Sequence, residues 1–428
     1  MAALTRRRAA AALAAALLLA SPGAARAHAG LVSSAPAAGD TLRQAPTRVV
    51  LRFTEPVDAS SSRLVLLGSN LRTTLAVRRD PGDVTALVAA LPPLGPGGYR
   101  MQWRTLSADG HPVDGSFVFF VAGPSAALAP APAELPEERV SGPPVPVLAA
   151  VLRGLGVGAL ACLAGVLAMM MSWSASDTRV RRLALALAWA APVLLAAHAV
   201  AWAAYARGAH DGAPLRHLLF ETGPGHLEVA RAALALLALW ALALARRPAL
   251  ALAFAALAVV ASGATGHAAA IHPALSIPAK AIHVAALAVW IGGLAVLLLT
   301  PRRGDDLRVL AVRVSSLSLA AVVALAASGV LEVLLFAPGL GLLARSAYGA
   351  LLLAKLVGLG VLVAIGARNR YRLVPRLPAE GARTALRRAV AWELAVMSLV
   401  LLAAGLLAYV PVPLPPPPLA HTTHVETN

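Results

Sequence analysis

The sequence has little of the charge and aromatic content that soluble proteins carry. Of its 428 residues, 13% are charged and 4% are aromatic, whereas 59% are hydrophobic. A soluble domain has about 25% charged residues, so this composition argues against a soluble globular protein. Disordered chains are poor in hydrophobic residues, so the composition excludes disorder as well.

Cysteine and acidic residues are also scarce. Cys162 is the single cysteine, which excludes intrachain disulfides and cysteine-based zinc fingers. The 37 Lys and Arg residues outnumber the 20 Asp and Glu residues, giving a formal net charge of +17. The basic residues lie in short loops between apolar stretches. The positive-inside distribution of membrane proteins therefore explains the charge, and no nucleic-acid partner is predicted.

Residues 1–27 have the features of a secretory signal peptide. Three arginines at 6–8 precede an apolar run over 9–20, which is too short to cross a bilayer, and a small-x-small cleavage site follows at 25–27. We predict cleavage after Ala27, with an uncleaved anchor as the alternative. Cleavage would make His28 the first residue and leave it a free α-amino group.

Residues 28–122 predict an all-β sandwich. Short β-rich runs alternate there with turn-forming stretches at regular spacing, at 48–53, 63–67, 84–89, 99–105 and 117–121. Residues 123–146 are rich in Ala and Pro and predict a semi-rigid linker.

Residues 147–411 predict an all-α polytopic membrane domain of about eight transmembrane helices, because a helix needs about 20 apolar residues to cross the bilayer. The spans lie near 147–173, 183–205, 227–244, 248–264, 279–299, 309–336, 347–367 and 389–411. Loops after the odd-numbered spans carry most of the loop arginines. This bias predicts that the β domain and both mature termini lie on the extracytoplasmic side of the cytoplasmic membrane. The Pro-rich tail at 412–428, with His421 and His424, would then lie outside.

Two segments of the β domain carry metal-binding side chains. A mature His28 offers its α-amine and its ring Nδ1, while Asp109 and His111 are two residues apart and would face the same side of an extended chain. Three nitrogens and one oxygen in a tetragonal set suit Cu(II), whereas zinc prefers a tetrahedral set. From spacing alone, a simple turn at Asp109 and the following glycine, together with a frayed terminus, is favoured over a metal site.

The β domain resembles the copper-resistance CopC family. The resemblance is carried by residues 28–39 (HAGLVSSAPAAG), 53–57 (FTEPV) and 107–117 (SADGHPVDGSF). It implies a cupredoxin-like, immunoglobulin-like sandwich that binds Cu(II) through His28, Asp109 and His111. Glu55 matches a family glutamate that sometimes lies near copper and is a secondary candidate, the alternative being an exposed carboxylate at a strand end. Met101 is predicted to pack in the core, so no separate Cu(I) site is predicted in this domain.

The membrane domain resembles CopD, the membrane partner of CopC, so the chain looks like a fusion of the two. The match is best over about 260–410, at 266–269 (GHAA), 282–293 (IHVAALAVWIGG), 328–330 (SGV), 346–355 (SAYGALLLAK) and 369–373 (NRYRL). This resemblance implies copper movement across the inner membrane, usually into the cell. It implies no particular set of copper ligands within the membrane.

The membrane histidines lie toward the predicted outer side, and imidazole is a common copper ligand. They predict a copper path that includes His198, His267, His272 and His283. Cys162 and Met169 are seven residues apart on one helix face, and their sulfur atoms suit Cu(I). Simple packing is the alternative for both.

Several charged residues fall within the predicted spans. Glu228 and Arg231 are three apart and are predicted to neutralise one another. Glu332, Lys355 and Glu393 are predicted to face the bundle interior, where they could carry protons, and the sequence does not pair them.

These features predict a protein that binds Cu(II) outside the cytoplasmic membrane and transports copper across it, inward. Its predicted partners are copper ions, the lipid bilayer and proteins that receive copper. One alternative is an extracytoplasmic copper-delivery protein for cuproenzymes, without transport. Another is an electron-transfer protein in which His198 and His283 ligate haem. No nucleophile–base pair or phosphate-binding loop is evident, so no catalytic residue and no enzymatic activity are predicted.

Overall fold

The computed structural model describes residues 30–69, 71–108, 110–123, 145–173, 177–209, 213–265, 272–301, 304–336, 340–377, 379 and 381–410. The predicted signal peptide, most of the predicted linker and the C-terminal tail lie outside the described residues. So do His28, Asp109 and His267, so the structure does not test where these candidates lie.

The N-terminal part forms two packed sheets. The strands are β1 (Leu31–Ala35), β2 (Thr41–Leu42), β3 (Arg48–Phe53), β4 (Val57–Gly68), β5 (Leu71–Leu75), β6 (Val77–Asp80), β7 (Asp83–Ala90), β8 (Gly97–Ser107) and β9 (Pro112–Val121). One sheet has the order β1-β3-β7-β6 and the other β2-β9-β8-β4-β5. Only β2 and β9 pair in parallel; the other pairs are antiparallel. The predicted β-sandwich is confirmed.

Alternating side chains fill the space between the sheets. In β3, Val49, Leu51 and Phe53 point inward, and their neighbours along the strand are more exposed, as expected for a strand with one buried face. Met101 is fully buried in the same core, so its predicted packing role is confirmed.

The rest of the described chain is helical. The helices are α1 (Val147–Ser172), α2 (Thr178–Ala209), α3 (Leu215–Phe220), α4 (Gly223–Ala243), α5 (Pro248–Gly263), α6 (Pro273–Leu299), α7 (Gly304–Phe336), α8 (Leu340–Ala344), α9 (Ala347–Arg368) and α10 (Ala382–Leu407). A π-helical turn (Asn369–Leu373) and a 3₁₀ turn (Val374–Arg376) follow α9.

Seven of these helices are long and apolar enough to cross a membrane. The exception among the predicted spans is α5, whose 16 residues reach about 24 Å at 1.5 Å per residue, against a hydrocarbon core of about 30 Å. The predicted multi-pass helical domain is therefore confirmed, and the predicted number of eight spans is approximate.

Helix α1 lies at the centre of the bundle and packs against α2, α5, α6 and α10. It meets α6 at two glycines, Gly165 and Gly292, where a Cβ on either residue would overlap backbone atoms of the other helix. Small residues at such crossings let helices approach closely in lipid. By contrast, α7 packs along α6 and exposes large apolar side chains such as Leu319, Val323 and Leu334.

The β domain rests on the helices through the loop that joins β8 to β9. Leu106, at the end of β8, is buried in a cluster with residues from α1, α2, α3 and the end of α10. This contact brings the segment with His111 to one end of the helical bundle, where the candidate site lies.

Candidate functional site at the domain junction

The segment that carries His111 is a tight turn. Between β8 and β9, the Ser107 amide donates to the His111 carbonyl and the Gly110 amide donates to the Ser107 carbonyl, both at 2.9 Å. Gly110 has φ +89°, in the left-handed region that glycine adopts without steric cost. The chain therefore reverses at Gly110, which agrees with the simple turn that the sequence also allowed there.

Two side chains of the helical domain hold this turn. Trp202 of α2 donates its indole N–H to the carbonyl of Gly110 at 2.7 Å. A Cβ added to Gly110 would lie 3.1 Å from Trp202 Nε1 and 3.2 Å from the Cβ of Pro224, at the start of α4. A glycine is therefore required here both by its backbone angle and by the closeness of the helices.

His111 is buried at this junction. Its side chain is 5% exposed, and its ring packs edge-on against Tyr409, with 5.3 Å between the ring centroids. Tyr409 follows α10, so the contact joins the β domain to the last helix of the bundle. One of the three predicted Cu(II) ligands thus lies directly against the membrane domain.

Tyr409 is hydrogen-bonded to a buried polar network. Its hydroxyl lies 2.8 Å from Nε2 of His198, and Nδ1 of His198 lies 3.0 Å from Glu228 Oε2. Arg231 donates to both carboxylate oxygens of Glu228 at 2.8 Å, and Arg153 lies 3.9 Å from the same carboxylate. The predicted pairing of Glu228 with Arg231 is confirmed.

The Glu228 carboxylate fixes the direction of these hydrogen bonds. Paired with Arg231, it is an ionised group that can only accept, so Nδ1 of His198 carries a proton and donates to Oε2. In the neutral imidazole, Nε2 is then an acceptor, and the Tyr409 hydroxyl donates to it.

This arrangement bears on the role predicted for His198. Both of its ring nitrogens are hydrogen-bonded and the side chain is fully buried. Binding copper or haem iron at His198 would require one of these hydrogen bonds to break. The place of His198 in the copper path stays a prediction. The contacts show that His198 orients Glu228 and Tyr409.

A cleft separates the turn from the helices. It is lined by His111, Arg153, Glu228, Thr265 and Tyr409, among others. Arg153 also donates to the Thr265 hydroxyl at 2.7 Å, which fixes its guanidinium at the wall of the cleft. With Arg231 just behind Glu228, two guanidinium groups face one carboxylate. The cleft therefore disfavours long residence of a divalent cation.

Glu55 lies at the base of the same turn. It is 1% exposed and accepts a hydrogen bond from the Ser107 hydroxyl at 2.6 Å. The alternative role considered for Glu55, an exposed carboxylate at a strand end, was therefore wrong. The structure brings Glu55 to the loop that carries His111, through Ser107.

The other candidates lie apart from the junction. His272 is exposed at the start of α6, and His283 of α6 contacts the Ser328 hydroxyl of α7 at 3.0 Å. Cys162 and Met169 are buried in the helical core. Among the described residues, no group of three or more His, Cys, Asp or Glu side chains could hold a metal ion.

Sequence reasoning missed Arg153, Trp202 and Tyr409. Arg153 was visible as a charge inside an apolar helix, a position that is costly and usually functional. The two aromatic residues lie near helix ends, where such residues are common at membrane interfaces, so their pattern gave no specific signal.

Comparison with known proteins identifies both parts of the chain. Residues 31–122 match the family model described as the CopC domain, and residues 309–407 match the model described as copper resistance protein D. Copper resistance protein C of Pseudomonas syringae pv. tomato is 34% identical over 105 residues, which cover 23% of this chain and 82% of that protein. The structure of CopC from Methylosinus trichosporium OB3b is 30% identical and covers 23% of this chain and 97% of that chain, with a TM-score of 0.22.

A relative with both parts covers almost the whole chain. The copper transport protein CutJ of Bacillus subtilis (strain 168) is 27% identical over 425 residues, which cover 92% of this chain and 76% of that protein. The described helices agree with a multi-pass membrane protein. The chain therefore belongs to the copper resistance and transport family, as a CopC domain followed by a CopD domain in one polypeptide.

Proposed function

We propose that this protein captures Cu(II) on the extracytoplasmic side of the cytoplasmic membrane and carries copper inward through its helical domain. In this proposal His28, Asp109 and His111 hold the ion in the β domain, with Glu55 nearby. The arginine-rich loops after the odd-numbered spans support the orientation. The name of the CutJ relative, a copper transport protein, supports the activity.

The observation that carries the proposal is the docking of the His111 turn on the helices. A domain that only stored or delivered copper would gain nothing from burying a ligand against Tyr409 and α2. Here Trp202 donates a hydrogen bond to the Gly110 carbonyl, and His111 is 5% exposed beside the cleft. Copper held at His111 would thus be released toward the membrane domain.

The charge of the cleft supports release at this point. Glu228 is already neutralised by Arg231, and Arg153 adds a further positive charge. A cation leaving His111 therefore finds no unpaired carboxylate in which to remain, and the two arginines shorten its stay. Transfer deeper into the bundle would use other groups. Cys162 and Met169 remain the predicted soft donors for copper that a one-electron donor outside this protein has first reduced to Cu(I).

Copper accumulation in cells tests the proposal. In a strain that lacks the gene, we expect the wild-type chain to raise cellular copper several-fold, and the His111→Ala variant to lose most of this gain. His226→Ala, which removes an exposed histidine that is not part of the predicted copper path, is the matched control and should behave as wild type. If cellular copper is the same with and without the protein, transport is wrong and the delivery alternative is favoured.

A further inference from the structure

A second buried polar cluster lies away from the junction, where α6, α10 and the π-helical turn after α9 meet. At its centre is Glu393 of α10, which is 2% exposed. Its Oε1 accepts the indole N–H of Trp290 at 3.1 Å, and its Oε2 accepts the amide N–H of Asn369 at 2.9 Å. The cluster thus joins three separate elements around one carboxyl group.

The partners of Glu393 within the described residues are neutral. No ion pair involves it there, whereas Glu228, the carboxylate at the junction, has Arg231 at 2.8 Å and Arg153 at 3.9 Å. A carboxylate removed from water is costly unless a cation compensates its charge. The two intramembrane glutamates therefore face opposite conditions: Glu228 is held as a carboxylate, while Glu393 is stable when it carries a proton.

Two arginines near this cluster donate to other groups, and a third is exposed. Arg370, next to Asn369, donates to the Ser315 hydroxyl of α7 at 3.1 Å. Arg383, near the start of α10, donates to the backbone carbonyl of Thr300 at 3.4 Å, and Arg388 is exposed. The side chain of α6 that contacts Glu393 is the neutral indole of Trp290.

Asn369 gives a second, independent sign of a binding site. Asn369 is 7% exposed, yet within the described part of the chain its Oδ1 has no hydrogen-bond partner. Buried polar atoms are almost always paired, so an unpaired one usually marks a functional position or an unseen ligand. Asn369 also begins the π-helical turn, and such turns inside helices are frequent at functional sites.

We propose that Glu393 is a proton-binding site of the membrane domain and that copper passage is coupled to release of its proton. The coupling, but not the site, rests on the proposed transport function. When the proton leaves, Trp290 and Asn369 remain as donors to the carboxylate. The negative charge so formed attracts the passing copper cation.

Labelling with dicyclohexylcarbodiimide, which modifies protonated carboxyl groups in apolar surroundings, tests the site on the full-length protein in membranes. We expect mass spectrometry to find Glu393 modified near neutral pH, with a rate that falls as the pH rises. Glu228 serves as the internal control and should remain unmodified because arginine holds it ionised. An unmodified Glu393, or equal labelling of both residues, would overturn the proposal.

Copper uptake into proteoliposomes tests the coupling. With the wild-type protein, an imposed pH gradient should change the uptake rate several-fold. With Glu393→Gln, which is neutral at every pH, uptake should no longer respond to the gradient, and Glu393→Asp should restore a response. A wild-type protein that moves copper without any response to the gradient contradicts the coupling. One that moves no copper contradicts the proposed function, while the labelling result still decides the site.

Discussion

At the scale of single residues, the junction depends on one compensated charge. Arg231 is fully buried, and its charge is balanced by Glu228, which also binds His198. Removing one partner of a buried ion pair is far more costly than removing a neutral hydrogen bond, because the remaining charge is stranded without water.

Substitutions in this network should therefore differ sharply in their effects on the free energy of unfolding. We expect Glu228→Gln to lower it by about 3–5 kcal/mol, since it leaves Arg231 buried with no counter-charge. Tyr409→Phe removes one hydrogen bond to His198 and should cost about 0.5–1.5 kcal/mol. Thermal unfolding of the detergent-purified protein measures both.

The control is Glu221→Gln. Glu221 pairs with His217 at 2.9 Å, but its side chain is 57% exposed. The loss of this surface pair should cost less than about 1 kcal/mol. Equal destabilisation by Glu228→Gln and Glu221→Gln would contradict the role assigned to the network.

Local pairs at this scale could be predicted from sequence, and distant ones could not. Glu228 and Arg231 are three residues apart on a helix, so helical periodicity alone predicts their contact. His198 reaches Tyr409 across 211 residues of chain, and Ser107 reaches Glu55 across 52. Such contacts form only when whole helices and strands pack together, so residue spacing in the sequence does not predict them.

At the scale of elements, hydrophobic patterning predicted the interior of each sheet. All five predicted β-rich runs lie within β3, β4, β7, β8 and β9. The strands that were not predicted are β1, β2, β5 and β6, which are the edges of the two sheets. An edge strand has one neighbour and is short or largely exposed, so it lacks the apolar run that marks a central strand.

The helix crossing at Gly165 should be sensitive to a single methyl group. Gly165→Ala would place its Cβ against the carbonyl of Ala288, so α1 and α6 must separate at a cost of about 1–3 kcal/mol or more. Gly360→Ala, in α9, is the control because a Cβ there meets no atom within 4 Å. The yield and the melting temperature in detergent should fall for Gly165→Ala and stay unchanged for Gly360→Ala. Equal values for the two variants would contradict the packing described.

At the scale of the whole molecule, the order and type of the domains followed from composition and family motifs, but the docking of one on the other did not. The contact depends on Gly110, Trp202 and Pro224, which belong to a turn, the C-terminal part of a helix and a helix start. None of these three stands out by type or spacing. Only the folded arrangement shows that the turn that carries His111 is also the docking surface.

A single added methyl group tests this arrangement. A Cβ at Gly110 would lie 3.1 Å from Trp202 Nε1 and 3.2 Å from the Cβ of Pro224. Gly110→Ala should therefore loosen the docked turn, and hydrogen exchange measured by mass spectrometry should rise in the peptides that contain Ser107 and Trp202. Gly39→Ala is the control, since Gly39 also has a positive φ but a Cβ there meets no atom within 4 Å, and it should leave exchange in these peptides unchanged. Equal exchange in the two variants would refute the docked geometry.

The burial of His111 has a consequence for the proposed transport cycle. His111 is 5% exposed at the docked turn, so an ion from the medium has little access to its imidazole. If His111 holds copper as proposed, copper would bind before the turn docks, and each turnover would require the β domain to lift away before it binds copper again. The speed of that detachment, rather than the affinity for copper, would then limit how fast the protein works when the metal is abundant.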